Sequence, residues 1–492
     1  MRLLPPPTQL HRQEAPWGKL AHDETGRVVR CQSLAGHSGD VAAVFAAILE
    51  LEGWKRRLEH LAGRPLDHIT RARLAYLVFL HDCGKANAGF EARVDQSAPT
   101  VGHIAPLAVL FGEHRDPTLS ARAMRALCVE RLDAWSGDTL FDAILSHHGK
   151  PWPCDADRRF EARHWRPTAS GYDPMLALAA LREEADRLYP EALSPEPSTL
   201  PDSAPFVHAV AGLVQAADWI ASSDWEREPD DVPRSAWAAG RLRAIGLDVA
   251  PWRAALRNET PAFSALFGYA PYPHQEAAGS APGRLVVIES ETGSGKTEAA
   301  LWRFAQLMAR GEVDGLYFAL PTRTAAAQLH RRVETFAARL WPGDAPPVVL
   351  AVPGYLDGER ARAAGGAMPA APEPLDAPEG DTRAPGPWAA EHPKRYFASV
   401  LGVGTVDQAL LATLRVKHAH MRGALLMRHL LVVDEVHASD AYMRRLLGQL
   451  LRDHVAAGGH AVLLSATLGA EARHQLLVEA AGGRARDEEA AR

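Results

Sequence analysis

Residues 285–300, LVVIESETGSGKTEAA, decide how the second half of this chain is read. The apolar run Leu285–Ile288 comes first, then a Gly-rich turn ending in Gly295-Lys296-Thr297, then a helix-like run through Met308. Strand, turn and helix in that order make a phosphate cradle. The turn Thr292-Gly293-Ser294-Gly295 aims backbone N–H groups at the phosphates, and the helix N-terminus adds its partial positive charge. Lys296 is placed to reach the β/γ-phosphates and Thr297 to hold Mg²⁺. Ser290 stands where Gly or Ala is usual, a small departure. The expected ligand is ATP.

Outward from the cradle, short β-type runs alternate with helices: Leu285–Ile288, Gly315–Leu320, Val348–Val352, Leu430–Val433 and His460–Leu464. That alternation predicts a doubly wound parallel α/β domain. The strand Leu430–Val433 ends in Asp434-Glu435-Val436-His437. An acidic pair at a strand's C-terminal end falls beside the cradle in this fold class. Asp434 is read as the Mg²⁺ partner and Glu435 as the group that activates the attacking water. Ser465-Ala466-Thr467, after the strand His460–Leu464, is read as a hydroxyl link from the nucleotide site to a nucleic-acid surface. Pro321-Thr322-Arg323-Thr324 and Gly404-Thr405-Val406-Asp407-Gln408 open helices where donors can meet a phosphate backbone. Gln275, in PYPHQ upstream of Lys296, stands where an adenine-reading glutamine is expected. Together these residues resemble the first RecA-like lobe of superfamily 2 helicases. Arg415, Lys417, His418, His420 and Arg422 are a candidate extension of a DNA groove.

At 492 residues the chain is too long for one ordinary core. Hydrophobic content of 47% and charged content of 23% are those of a soluble globular protein. A net charge of −6 gives no global attraction to DNA or membrane, so a nucleic-acid surface has to be a local basic groove. The four cysteines are scattered without a C-x-x-C pair, which argues against a disulfide framework or zinc ribbon and fits a reducing cytoplasm. No signal peptide and no membrane span is read.

Residues from about 33 to 225 read as helical, with Ala- and Leu-rich apolar segments such as Val41–Glu50, Arg71–Leu80 and Val207–Ile220. This unit carries a second chemistry. The helix Arg71–Leu80 delivers His81-Asp82, followed by Cys83-Gly84-Lys85. His37, His103, His147-His148 and Asp218 lie at or near other helix ends. His147 and His148 diverge by about 100° on a regular helix, so both serve one site only if the helix stops there, which Gly149 and Pro151 favour. Imidazoles and two carboxylates suit a dinuclear site bridged by Asp82. Mixed N/O ligation favours Fe, Mn, Ni or Co over Cys-rich zinc. Two ions roughly 3.5–4 Å apart activate a water and stabilise the leaving oxygen of a phosphodiester. Lys85 is placed to neutralise charge on the phosphate.

With both constellations in this order, the chain resembles the CRISPR-associated nuclease–helicases of type I interference systems, and subtype I-E most. HSGDVAAV, HDCGK, LSHHGKP, AADW, ETGSGKTEAAL, GVGTVDQALLATLRVKHAHMR, LVVDEVHASDAYM and LLSATL carry the resemblance, from about Trp17 to Leu468. It implies an all-α HD nuclease domain followed by an α/β RecA-like P-loop domain. The expected boundaries are 17–228 for the nuclease and 229–270 for a linker. The first helicase lobe then covers 271–480, with a flexible Pro/Ala/Gly-rich insertion at 342–394, and a tail covers 481–492. It implies His37, His81, Asp82 and Asp218 on one metal and Asp82, His103, His147 and His148 on the second. His81, Asp82, Lys85 and Glu435 would be catalytic. Single-stranded DNA would be the substrate, reached through a Cascade–crRNA complex at an R-loop, with ATP-driven 3′-to-5′ translocation. Only residues 468–492 follow Thr467, so no second RecA-like lobe is expected, and ATP turnover should be weak unless another polypeptide supplies it. The alternatives are an HD phosphohydrolase acting on small nucleotides, with the P-loop lobe as a sensor, and a non-catalytic DNA- or Cascade-binding remnant.

Overall fold

The structure is a computed structural model of the 492-residue chain. It describes residues 16–25, 27–94, 101–149, 162–196, 198–223, 225, 232–353, 388–390, 392–436, 441–469, 473–474 and 476–478. Outside these lie Pro151, Cys154, His437, most of the 342–394 insertion, the charged stretch at 226–231 and the 481–492 tail. The chain forms two compact units. One comprises Met1–Leu49 with Pro65–Ala239, the other Glu50–Arg64 with Gly240–Arg492. The nuclease-type part is thus interrupted: 15 residues early in the sequence are built into the second unit.

The first unit opens with an antiparallel ribbon, β1 (Trp17–His22) against β2 (Val28–Ser33), ahead of the region read as helical. Counting helices of eight residues or more, the chain continues with α1 (Leu34–Glu50), α2 (Glu52–Ala62), α3 (His68–Phe79), α4 (Pro117–Leu127), α5 (Asp138–Leu145), α6 (Pro174–Leu188) and α7 (Ala204–Ser222). Several starts are set by aspartate caps, whose carboxylates satisfy otherwise orphaned N–H groups. Asp67 accepts from Thr70 N at 2.7 Å, Asp116 from Thr118 N at 2.9 Å and Asp173 from Met175 N at 2.9 Å. Pro117 and Pro174 occupy the first helical position, where a missing N–H costs nothing. In α7 every residue from Val207 to Ala221 except His208 is buried, which accounts for its almost uninterrupted apolar and small sequence. Each large apolar side chain buried there contributes roughly 1.5–3 kcal/mol.

The second unit follows through α8 (Arg234–Ala244), in which the passage falls, and α9 (Ala250–Asn258). Its six-stranded sheet is wholly parallel, in the order β3-β8-β7-β4-β6-β5. The strands are β3 (Leu285–Glu289), β4 (Gly315–Leu320), β5 (Val348–Ala351), β6 (Leu401–Thr405), β7 (His429–Val433) and β8 (His460–Ser465). The helices are α10 (Pro273–Ser280), α11 (Lys296–Arg310), α12 (Arg323–Leu340), α13 (Ala419–Leu426) and α14 (Ala441–Ala456). Strands β4, β6, β7 and β8 are buried throughout, so their sequences run apolar rather than alternating.

Strand β6, LGVGT, is absent from the sequence-based set of strands because two glycines depress its strand signal. The sheet needs them. A Cβ on Gly404 would sit 2.4 Å from the Tyr317 hydroxyl and one on Gly402 3.0 Å from the Tyr317 ring. Glycine thus makes room for a tyrosine that donates to Thr405 O at 3.1 Å.

Helix α2 is fastened into this unit by buried polar contacts. Trp54 Nε1 donates to Ala424 O at 3.0 Å, and the Arg428 guanidinium lies 4.7 Å from the Trp54 ring centre. Arg57, 6% exposed, donates to the carbonyls of Met427, Gly458 and Glu312. Those carbonyls lie two or three residues before β7, β8 and β4, so one guanidinium ties the entry ends of three central strands.

Candidate metal centre and nucleotide site

Asp82 stands at the middle of the first unit's polar cluster. It follows α3, where the chain leaves the helix through His81 and enters a short 3₁₀ turn, Cys83–Ala86. Its two oxygens face different imidazoles. Oδ2 lies 3.1 Å from His37 Nε2 and 3.3 Å from His81 Nε2. Oδ1 lies 3.2 Å from His103 Nε2 and 3.4 Å from His147 Nε2. His148 Nε2 is 2.8 Å from His103 Nε2, and Asp218 Oδ1 is 3.3 Å from His37 Nε2. All seven residues read as metal ligands converge. Helix α5 ends at Leu145, and the turn through Gly149 (φ 76°) lets both adjacent histidines face inward.

The donor chemistry fits metal ions. Two groups have ligand atoms close enough to hold a metal ion: Asp82 with His103, His147 and His148, and Asp82 with His37 and His81. The Nε2 atoms of His37, His81 and His147, with Asp82 Oδ1, are buried and make no hydrogen bond among the described residues. Buried polar atoms are normally satisfied, so these four orphans around Asp82, divided between the two groups, mark places for cations. His81 Nδ1 donates to Val78 O at 2.8 Å and His147 Nδ1 to Ile144 O at 3.0 Å, which leaves each Nε2 as the lone-pair atom.

Burial raises the Asp82 pKa, but the Lys85 ammonium, 2.6 Å away, with His81 and His103 outweighs it and holds the carboxyl well below its ordinary range. Burial pushes His103 down to about 4 and also lowers His81, keeping these imidazoles neutral. For His147 burial acts downward, but the Asp82 carboxylate 3.4 Å from Nε2 and the Asp218 charge outweigh it and raise the pKa. Lys85 is 6% exposed and donates to Gly18 O at 3.1 Å.

Three further features support the site through contacts between its segments. Gly84 is a matter of space: a Cβ there would lie 2.0 Å from the His103 carbonyl oxygen. Asn87 Nδ2 donates to Gly84 O at 2.8 Å and Gly102 O at 3.1 Å, stitching the His103 loop to the Asp82 turn. Asp40, in the same GHSGD segment as His37, is a brace: it accepts from Gln32 Nε2 and from Arg234 Nε, both at 2.8 Å.

In the second unit a cavity of about 500 Å³ opens at the C-terminal ends of β3 and β7. Thr292, Gly293, Gly295, Lys296, Thr297, Asp434 and Glu435 line it, as the sequence reading placed them. Ser294 does not; its Oγ is buried without a hydrogen bond. Gly293 (φ 84°) and Gly295 (φ 83°) hold the left-handed backbone that makes the cradle. Glu435 has φ 54°, a costly conformation for a side-chain-bearing residue, of the kind that clusters at functional sites. Burial raises the Asp434 pKa above the ordinary carboxylate value.

Gln275 is fully buried. Its Oε1 accepts from Tyr272 N at 2.9 Å, and its Nε2 donates to Tyr269 OH and Gly295 O, both at 3.1 Å. Its amide is committed to bracing the phosphate loop. Tyr269, Tyr272, Glu298 and Arg332 also line the cavity and were not singled out in the sequence. Ser465 is buried, and its segment meets the cradle through Ser290 N to Ser465 O at 3.2 Å and Leu468 N to Glu289 Oε1 at 2.9 Å. Thr322 caps α12 by accepting from Ala325 N at 3.2 Å. The basic cluster is corrected: His418 and Arg422 are buried, Arg422 Nη1 donating to Lys417 O at 3.2 Å, so they do not face a groove. Sequence periodicity over a short helix could not separate a buried cation from an exposed one.

Comparison with known proteins agrees with this geometry. The family profile described as "Cas3, HD domain" matches residues 17–225. The chain is 33% identical over 477 residues to the CRISPR-associated endonuclease/helicase Cas3 of Thermus thermophilus, covering 91% of this chain and 50% of that protein. Against the Escherichia coli protein of the same description it is 36% identical over 221 residues, 43% of this chain and 23% of that one. The crystal structure of T. fusca Cas3 with AMPPNP superposes with a TM-score of 0.65 at 26% identity, covering 96% of this chain and 52% of that one. The chain spans about half the length of the Thermus relative and of the T. fusca structure. Residues 17–225 thus match the Cas3 HD-domain family, and nearly the whole chain is similar to about half of the CRISPR-associated nuclease–helicase Cas3.

Proposed function

We propose that this chain is a metal-dependent nuclease of single-stranded DNA joined to an ATP-binding helicase lobe, acting in CRISPR interference. The observation that carries the reading is the division of Asp82 between two imidazole sets, Oδ2 toward His37 and His81 and Oδ1 toward His103 and His147. Asp82 with His37, His81 and Asp218 would hold one cation, and Asp82 with His103, His147 and His148 a second. Two bound divalent ions would supply an activated water and neutralise charge on a phosphodiester. The protein's part is to orient the ligands, the Val78 and Ile144 carbonyls accepting from Nδ1 of His81 and His147 so that each Nε2 faces Asp82. Lys85 keeps Asp82 ionised and aimed. In the second unit, Lys296 and Thr297 hold the phosphates and Mg²⁺ of ATP, and Asp434 and Glu435 complete that site. The assignment to a Cascade–crRNA complex at an R-loop rests on the likeness to Cas3 proteins.

The test is digestion of circular single-stranded DNA by the purified chain with Mn²⁺, Ni²⁺ or Co²⁺, beside a cyclic dinucleotide under the same conditions. Metal-dependent nicking that Asp82→Asn abolishes supports the reading. Cleavage of the small nucleotide alone would move the chain to the HD phosphohydrolases. Binding of DNA without cleavage at any metal would make it a non-catalytic remnant.

A further inference from the structure

The nucleotide cavity is lined by two cations, and they come from different elements. Lys296 belongs to the phosphate cradle. Its Nζ donates to Ser290 O at 2.6 Å and Glu291 O at 3.0 Å, folded back on its own loop. Arg332 comes from α12, the helix after β4, and nothing in the motif reading assigns it a role. Its guanidinium is held by one carboxylate: Nη2 lies 2.5 Å from Glu298 Oε1. Glu298 directly follows Thr297 and lines the same cavity.

This arrangement is poor for a purely structural ion pair. Arg332 is 54% exposed, and exposed pairs contribute little to stability. As a device for an anionic ligand it makes sense. The Arg332 charge acts on two other groups of the cavity lining, Asp434 and the Tyr269 hydroxyl. A bound polyphosphate would repel the Glu298 carboxylate and attract the guanidinium beside it. The guanidinium offers a planar fork of donors suited to phosphate oxygens.

We infer that Arg332 is a polyphosphate-binding residue of the nucleotide site, parked on Glu298 until the nucleotide arrives and then drawn to its phosphates. The inference rests on the reading of this cavity as an ATP site and adds to it a second cation contributed by α12. It also makes Glu298 an antagonist: the carboxylate competes for Arg332 and repels the ligand.

The experiment is calorimetric titration of the full chain with Mg²⁺-ATP and, separately, with inorganic tripolyphosphate, for the native protein, Arg332→Gln and Glu298→Gln. Folding of each variant is checked by circular dichroism and melting temperature. Loss of a charge-assisted contact predicts that Arg332→Gln weakens both ligands about tenfold. Removal of the competing carboxylate predicts that Glu298→Gln tightens both by about threefold. Native affinity in Arg332→Gln, or a loss for ATP with none for tripolyphosphate, overturns the inference, the second result placing Arg332 on the base or ribose. Weaker binding in Glu298→Gln overturns the antagonism. If the native chain binds neither ligand, the ATP reading itself fails and this inference falls with it.

Discussion

Arg57 Nε donates to the carbonyl of Met427 at 3.0 Å, joining residues 370 positions apart. The same guanidinium reaches Gly458 O and Glu312 O, and Trp54, one turn earlier, is buried beside Arg428. A segment lying between His37 and His81 in sequence is therefore a structural part of the α/β unit.

Arg57→Ala leaves the Met427 and Glu312 carbonyls without this donor, while Gly458 O keeps Arg284 Nη1. Unpaired buried groups cost about 1–3 kcal/mol each, partly relieved by water, so a loss of about 3 kcal/mol in the second unit is expected. Trp54→Ala should cost about 3–5 kcal/mol through the cavity it leaves. Hydrogen–deuterium exchange is the measurement: strands β4, β7 and β8 should lose protection while α7 keeps it. Equal loss in both units would contradict the assignment of α2.

Gly84→Ala forces a Cβ to within 2.0 Å of the His103 carbonyl, so the His103 loop must move. The set His103, His147 and His148 should suffer while His37 and His81 keep their places on Asp82. Metal analysis of the protein loaded with Mn²⁺ should fall from two ions per chain toward one, whereas Asp82→Ala should lose both.

Glu91 accepts from Trp17 N at 2.8 Å, and burial pushes its pKa from 4.5 up to about 7. Its protonated form is thus favoured on folding. The contribution to stability is fully present below pH 4.5 and is lost as pH rises through 7, a swing of up to about 3 kcal/mol at 1.36 per pKa unit. Glu91→Gln keeps the acceptor and removes the titration. Melting curves should show the variant gaining stability at pH 8 relative to the native chain, with the difference vanishing near pH 4.

Gly295→Ala meets two obstacles, the left-handed φ of 83° and Gln275 Nε2 at 2.1 Å from the added Cβ. It should abolish ATP binding in titration, as should Lys296→Ala. Gln275→Ala removes the brace from Gly295 O and should weaken ATP and tripolyphosphate alike. A loss confined to ATP would return Gln275 to adenine reading.

Much of both sites was legible in the sequence because the motifs are local. A Gly-rich turn between strand and helix has few other uses, and His-Asp at the end of an apolar helix is hard to explain by packing. The convergence of His103 and His148 with Asp82 was not local, since Gly84 and Asn87 set it through backbone contacts across the loop. Strand β6 was hidden because its glycines serve Tyr317 on the neighbouring strand. The burial of His418 and Arg422 was hidden because residue type does not report depth.

By itself the sequence determined the two chemistries, a helical histidine–aspartate unit and a parallel-sheet phosphate cradle. Backbone conformation and apolar periodicity are set by neighbours a few residues apart. Only the tertiary structure decided that α2 belongs to the second unit, which Asp82 oxygen faces which imidazoles, and that Arg332 shares a cavity with Lys296. Those are pairings between distant parts of the chain. They are fixed by which buried donors find acceptors once the cores have closed, and no local pattern records that outcome.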